Sequence, residues 1–295
     1  MSTEPGAPLA AVTVVSLATN LPGPVAAARL VSLGASVVKV EPPAGDPLGM
    51  VVPSWYDELI AGQEVITLDL KDPGGRSTLE TELASADVLL TSMRPSASAR
   101  LGLVDAVARH GLVLVEIVGY EGERAEEAGH DLTYQAARGM VLPPAMPLVP
   151  VVDLLGAEHA VSAVLAGLRR RDLGEAAPHL RVVLDEVAGQ ASATVRHGLT
   201  GPGNALGGAS PTYGIYPSAD GYVAVAAIEP HFAGRLARGV GATREELTTR
   251  FAGDSSAHWE ALGRSLDIPI VALRDPRNGV PVQTSTPGGP AAAHQ

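Results

Sequence analysis

The chain of 295 residues has no cysteine. That removes disulfides, thiolate metal sites, a cysteine nucleophile and sulfur redox chemistry, and it agrees with a reducing compartment. Aromatic residues are only 3% of the chain, too few for the stacking platforms that hold bases. Positive charge is short as well. With 21 Lys and Arg against 32 Asp and Glu, the formal net charge is −11, which argues against a nucleic acid partner, whose phosphates need a basic surface. No run reaches the roughly eighteen uncharged apolar residues of a membrane helix. The opening MSTEPGAPLAAV lacks the basic and apolar regions of a signal peptide. The expectation is a cytoplasmic protein with no membrane or nucleic acid partner, acting on a small or protein-borne substrate.

What is present alternates strand and helix. VTVVSLA (12–18) is a short β-branched run, PVAAARLVSLG (24–34) is helical and ends on a glycine, and SVVKVE (36–41) is a second strand. The pattern continues through EVITLDL (64–70), a helix over 73–84, ADVLLTS (86–92), a helix near 98–109 and LVLVEIV (112–118). Nearly continuous apolar strands between helices mean a parallel sheet covered on both faces. The reading is an α/β, Rossmann-like large domain over 1–199. The turn after the first strand, ATNLPGPVA, nevertheless carries neither G-x-G-x-x-G nor a Walker sequence, so the fold is not read as binding a dinucleotide. Further on, EHAVSAVLAGLRRR (158–171) is a helix, LRVVLD a strand, and a last helix runs to about 198. A glycine-rich stretch near 200 and the hairpin TYGIYPSADGYVAVAAIEP then open a smaller α+β domain over 200–270. Residues 271–295 read as a short return segment and a disordered tail.

Three residues sit where an element ends and a cleft can form: His130 in AGHDLTY, Asp153 in PLVPVVDLLG and Glu229 in AVAAIEP. Asp153 stands among valines and leucines, where burial raises a carboxyl pKa unless charge or donors compensate. Each has a plainer reading. A lone histidine after glycine often serves a loop, Asp153 suits a helix cap, and Glu229 before Pro230 suits a helix start. Metal binding is not expected, because His130, His159 and His179 show no ligand spacing.

The ordered stretches LPGPVAAARLVSLGASVVKVEPPAGDPL, VITLDLKDPGG, ADVLLTSMRPSASARLGL, GHDLTYQA, GGASPTYGIYPSADGYVAVAAIEPHF and HWEAL resemble the class III CoA-transferase superfamily. Within it they look most like the alpha-methylacyl-CoA racemase branch. The resemblance implies an interlocked homodimer with a Rossmann-like large domain and a small domain. It also implies that His130 and Asp153 flank the α-carbon of an acyl thioester as acid and base, with Glu229 supporting the relay and Arg94 and Arg100 contacting the CoA part. The acyl-CoA or phosphopantetheine thioester is then substrate, and no cofactor is expected.

The chemistry suits these residue types. Inverting a centre beside a thioester needs one group to remove the proton and another to return one on the opposite face. The enolate between needs donors, for which the backbone near Gly129 or the Leu154–Gly156 turn is available. Tyr134 either orients a site group or packs. The transferase branch would use Asp153 as a nucleophile, forming an acyl anhydride and then a thioester. A histidine in a G-H-D box favours proton transfer over that route.

Against the family pattern, positive charge is thinned. The stretches EPPAGD and DELIAGQEV stand where relatives commonly carry basic residues, Ser96 replaces the usual glycine after RP, and the chain ends soon after IPIVALRDP. A carrier-bound acyl group, or a free small molecule, is therefore an alternative substrate. The same enolisation also permits isomerisation or elimination. A catalytically silent binding relative is a third reading.

Overall fold

The computed structural model describes residues 7–275, 279 and 280. They form two compact units that divide between Ser192 and Ala193. The division falls before 199 because the short helix from Ala193 bonds forward: Leu199 and Thr200 N–H both donate to Thr194 O, and Leu206 N–H to Leu199 O.

The first unit runs β1 (Thr13–Ser16), α1 (Pro22–Ser32), β2 (Ser36–Glu41), α2 (Pro47–Val51), α3 (Pro53–Ile60), β3 (Glu64–Thr67), α4 (Pro73–Ala84) and β4 (Val88–Thr91). It continues through α5 (Pro95–Arg100), α6 (Leu103–His110), β5 (Val113–Val118), α7 (Asp131–Ala137), α8 (Val151–Asp172), β6 (His179–Val183) and α9 (Leu184–Ala191). All six strands are parallel, in the order β3-β2-β1-β4-β5-β6. The sheet therefore reverses its winding between β1 and β4, and the crevice outside the carboxyl ends of those strands is where such folds bind ligands.

Adjacent residues of one strand feed opposite layers, as the pleat requires. Val14 joins Leu30, Val115 and Val164 on one face, while Val15 joins Leu79, Leu89 and Val107 on the other. Both faces are covered, which is why these strands read as unbroken apolar runs.

Two helices differ from the sequence reading. The helix near 98–109 is two, α5 and α6, separated at Gly102, which takes a left-handed φ of 66°. The helix placed at 158–171 begins seven residues earlier and spans 22 residues. By length and composition α8 is long and apolar enough to cross a membrane. Here it is a core helix, with Ala157, Ala160, Val161, Val164 and Gly167 buried along β5, β6 and α1.

The second unit holds α10 (Ala193–Arg196), β7 (Tyr213–Pro217), β8 (Tyr222–Ala226), α11 (Pro230–Gly239), α12 (Arg244–Phe251), α13 (Ser256–Leu266) and β9 (Ile270–Ala272). Its sheet is antiparallel, ordered β7-β8-β9. The β7–β8 turn is the one expected at PSADG, with Ser218 N–H donating to Gly221 O. Helices cover one face of this sheet around Tyr216, Val225, Phe251 and Trp259. Since β9 pairs with β8, the stretch after 270 begins as part of this small sheet. The tail expected to be disordered, STPGGPAAAHQ, lies outside the described residues.

Candidate active site

The carboxyl ends of β1, β4 and β5 open into loops, and a cavity of about 220 Å³ lies among them. The β1 loop contributes Thr19 and Asn20, the β4 loop Ser92 and Arg94, and the β5 loop Glu127 to His130. Tyr134 of α7 and Asp153 of α8 complete it. Five of the residues singled out in the sequence, His130, Asp153, Tyr134, Gly129 and Arg94, therefore line one crevice.

His130 precedes α7 in extended conformation, φ −141° and ψ 161°. Its backbone is tied by Thr133, whose hydroxyl accepts from His130 N–H at 3.1 Å and donates to His130 O at 2.7 Å. The imidazole is exposed and lines the crevice.

Asp153 is the third residue of α8, within the first turn rather than at the cap. Burial first, and the neighbouring Asp131 carboxylate second, push its pKa up to about 6. That places the group where it both gives and takes a proton near neutral pH. The capping group is Asp131, which sequence reading passed over although it adjoins His130. Its Oδ1 accepts from Val152 N–H at 2.8 Å and Asp153 N–H at 3.1 Å. Its other oxygen accepts from Gln135, which also donates to Val149 O at 3.1 Å.

Those bonds change the assignment of enolate donors. Leu154 N–H donates to Pro150 O, and the Leu154–Gly156 stretch lies inside α8, so its N–H groups belong to the helix. The start of α7 is different: the Gly129 and Asp131 N–H groups have no acceptor among the described residues. Tyr134 is buried and packs edge-on against Tyr120, with ring centres 5.4 Å apart. A Cβ at Gly129 would collide with its phenol. Burial pushes the Tyr134 pKa upward, so the phenol stays protonated.

A second cavity, about 520 Å³, shares Thr19 and Ser92 with the first and continues over β2 and β3. Arg100 lines this one rather than the smaller crevice, together with Lys71, which sequence reading also missed. Their charge is matched by Glu41 and Asp69, and most of the remaining wall is apolar. Arg94 and Arg100 close no salt bridge among the described residues, although both bear on Glu126, whose carboxylate accepts from Ser96 N–H and Oγ at 2.8 Å. Glu229 lies in the second unit, immediately before α11, exposed and with no hydrogen bond to its carboxylate among the described residues. Among the described residues, no group of three or more His, Asp or Glu is placed to hold a metal.

Known proteins similar to this chain include both CoA-transferases and racemases. The family model CoA-transferase family III matches residues 9–277. Succinyl-CoA--D-citramalate CoA-transferase from Chloroflexus aurantiacus is 28% identical over 85% of this chain and 69% of its own length. The human alpha-methylacyl-CoA racemase is 29% identical over 83% of this chain and 68% of its own. The crystal structure of a hypothetical protein from Mycobacterium tuberculosis superposes with a TM-score of 0.78 at 23% identity, over 92% of this chain and 87% of that one. With its six-stranded parallel sheet, its small antiparallel unit and a match over almost its whole described length, the chain belongs to CoA-transferase family III.

Proposed function

We propose that the protein moves the α-proton of an acyl thioester, a 2-methylacyl-CoA or a carrier-bound acyl group, as a racemase or epimerase. The observation that carries this is the presence of His130 and Asp153 in one crevice, the first with an exposed side chain and the second with its pKa raised to about 6. His130 takes the α-proton and the electrons move onto the thioester oxygen. Protonated Asp153 then delivers its proton to the opposite face. One turnover leaves an imidazolium and a carboxylate, the pair needed for the opposite enantiomer. The free N–H groups at Gly129 and Asp131 supply the donors an enolate requires. The reaction is proton transfer and needs no redox or metal cofactor.

Several features support the wider reading. The apolar cavity beside the crevice suits a pantetheine arm, and its balanced charge gives the CoA phosphates few contacts beyond Lys71 and Arg100. A homodimer is part of the proposal, with Glu229 supporting His130 from a second copy. The uncovered face of the small sheet, with Ile215 61% and Val271 52% exposed, is the kind of apolar surface a partner covers.

The test is deuterium wash-in at the α-carbon of a 2-methylacyl thioester. Exchange by the wild type that falls at least about 10²-fold in His130→Ala and Asp153→Ala supports the proposal. Unchanged exchange in either variant overturns it. CoA transfer, with Asp153 as nucleophile, is the second reading, favoured by the citramalate CoA-transferase among the relatives. A covalent Asp153 adduct in a His130→Ala variant that keeps transferring CoA would establish it instead.

A further inference from the structure

The two acid/base groups are linked by the residue between them in the sequence box. His130 is followed directly by Asp131, and Asp131 turns inward to grip the first turn of the helix that carries Asp153. It is buried, 8% exposed, and its carboxylate receives three N–H donors, two from the backbone of α8 and one from Gln135. Gln135 adds a bond to Val149 O, so the approach to α8 is also tied to α7. Pro150, immediately before α8, offers no side-chain cap. Asp131 supplies from 21 residues away what Ser, Thr or Asp ordinarily supplies next to a helix.

We propose that Asp131 is the positioning residue of this site: it locks the first turn of α8 to α7, sets where Asp153 stands relative to His130, and keeps a negative charge behind Asp153. The proposal rests on the acid/base reading of the crevice. A structural cap alone would need only an acceptor oxygen, which asparagine also offers. The charge is what a catalytic arrangement adds, because it disfavours the ionised form of Asp153 and keeps the proton available for delivery. Burial and Asp131 both raise the Asp153 pKa. The other groups on this side are His130 just before α7, Tyr134 of α7, Glu127 of the β5 loop, Arg94 before α5, and Asp185 of α9, which pairs with Arg138.

The deciding experiment is a spectroscopic titration of the Asp153 carboxyl in the substrate-free protein, by carbon NMR of labelled aspartate assigned with Asp153→Asn. Asp131→Asn keeps an oxygen for the Val152 and Asp153 N–H groups and removes the charge. Asp153 is expected to titrate near 6 in the wild type and lower by on the order of one unit in Asp131→Asn. An unchanged titration overturns the proposal. In Asp131→Ala, amide exchange at Val152 and Asp153 should quicken roughly tenfold, with β5 unaffected. Equal protection there overturns it as well, and if that variant does not fold, the Asp131→Asn titration alone decides. Both measurements are made without substrate, so they stand or fall separately from α-proton exchange.

Discussion

Asp153 holds its proton more tightly in the folded chain than in the unfolded one, and stability should carry the mark of this. Its pKa rises from 3.8 to about 6 on folding, so the native state binds more protons across that window and stability falls as pH rises through it. Asp153→Asn is therefore expected to raise stability by on the order of 1–2 kcal/mol at pH 7 and to leave it unchanged near pH 4. Urea melts at the two pH values check this. Gly129 makes a second prediction. Its lack of a side chain lets the Tyr134 phenol pass beneath the His130 loop, so Gly129→Ala should lower kcat by about tenfold or more while the sheet stays folded, as misplaced catalytic groups do. Circular dichroism beside the activity assay separates the two effects. At this scale the sequence exposed His130 and Asp153 through their surroundings. It concealed Asp131, whose partners in α8 lie 21 and 22 residues away, beyond the reach of any local pattern.

Elements were legible where their ends are written locally. The strand at 36–41 and the helix at 73–84 are found as read, the second because Asp72 caps Gly74 and Gly75 N–H and Pro73 follows at once. The start of α8 was not legible, since Val151 and Val152 look like strand and their cap comes from another helix. Nor was the break at Gly102, because the apolar spacing runs on across it. The β1 loop is held by a device that sequence does not show either. Lys39 is fully buried and donates to Asp46 at 2.9 Å and to Ala18 O at 3.2 Å. Asp46 accepts in turn from Asn20 and Leu48 N–H. This pair shapes the turn that presents Thr19 and Asn20 to the crevice. Removing one partner strands a buried charge, so Asp46→Ala should cost about 3–5 kcal/mol in urea unfolding. Asp46→Leu combined with Lys39→Met should recover part of that loss.

For the molecule as a whole, the alternation of strands and helices was sufficient to predict a parallel sheet, and the glycine-rich stretch near 200 with the hairpin after it a smaller α+β unit. The acidic balance of the chain agrees with a site whose cavity walls carry as many carboxylates as cations. If the apolar face of the small sheet is covered by a second copy, Ile215→Glu with Val271→Glu should shift sedimentation from dimer to monomer and reduce exchange. Unaltered sedimentation would remove that face from the interface. The central claim is that the crevice moves a proton at the α-carbon rather than CoA between acids. Proton NMR of an enantiopure 2-methylacyl thioester in deuterium oxide, with wild-type protein and no acceptor acid, addresses it most directly. The account predicts loss of the α-proton signal together with loss of optical purity. An intact α-proton, with CoA transferred once a carboxylic acid is added, would contradict it.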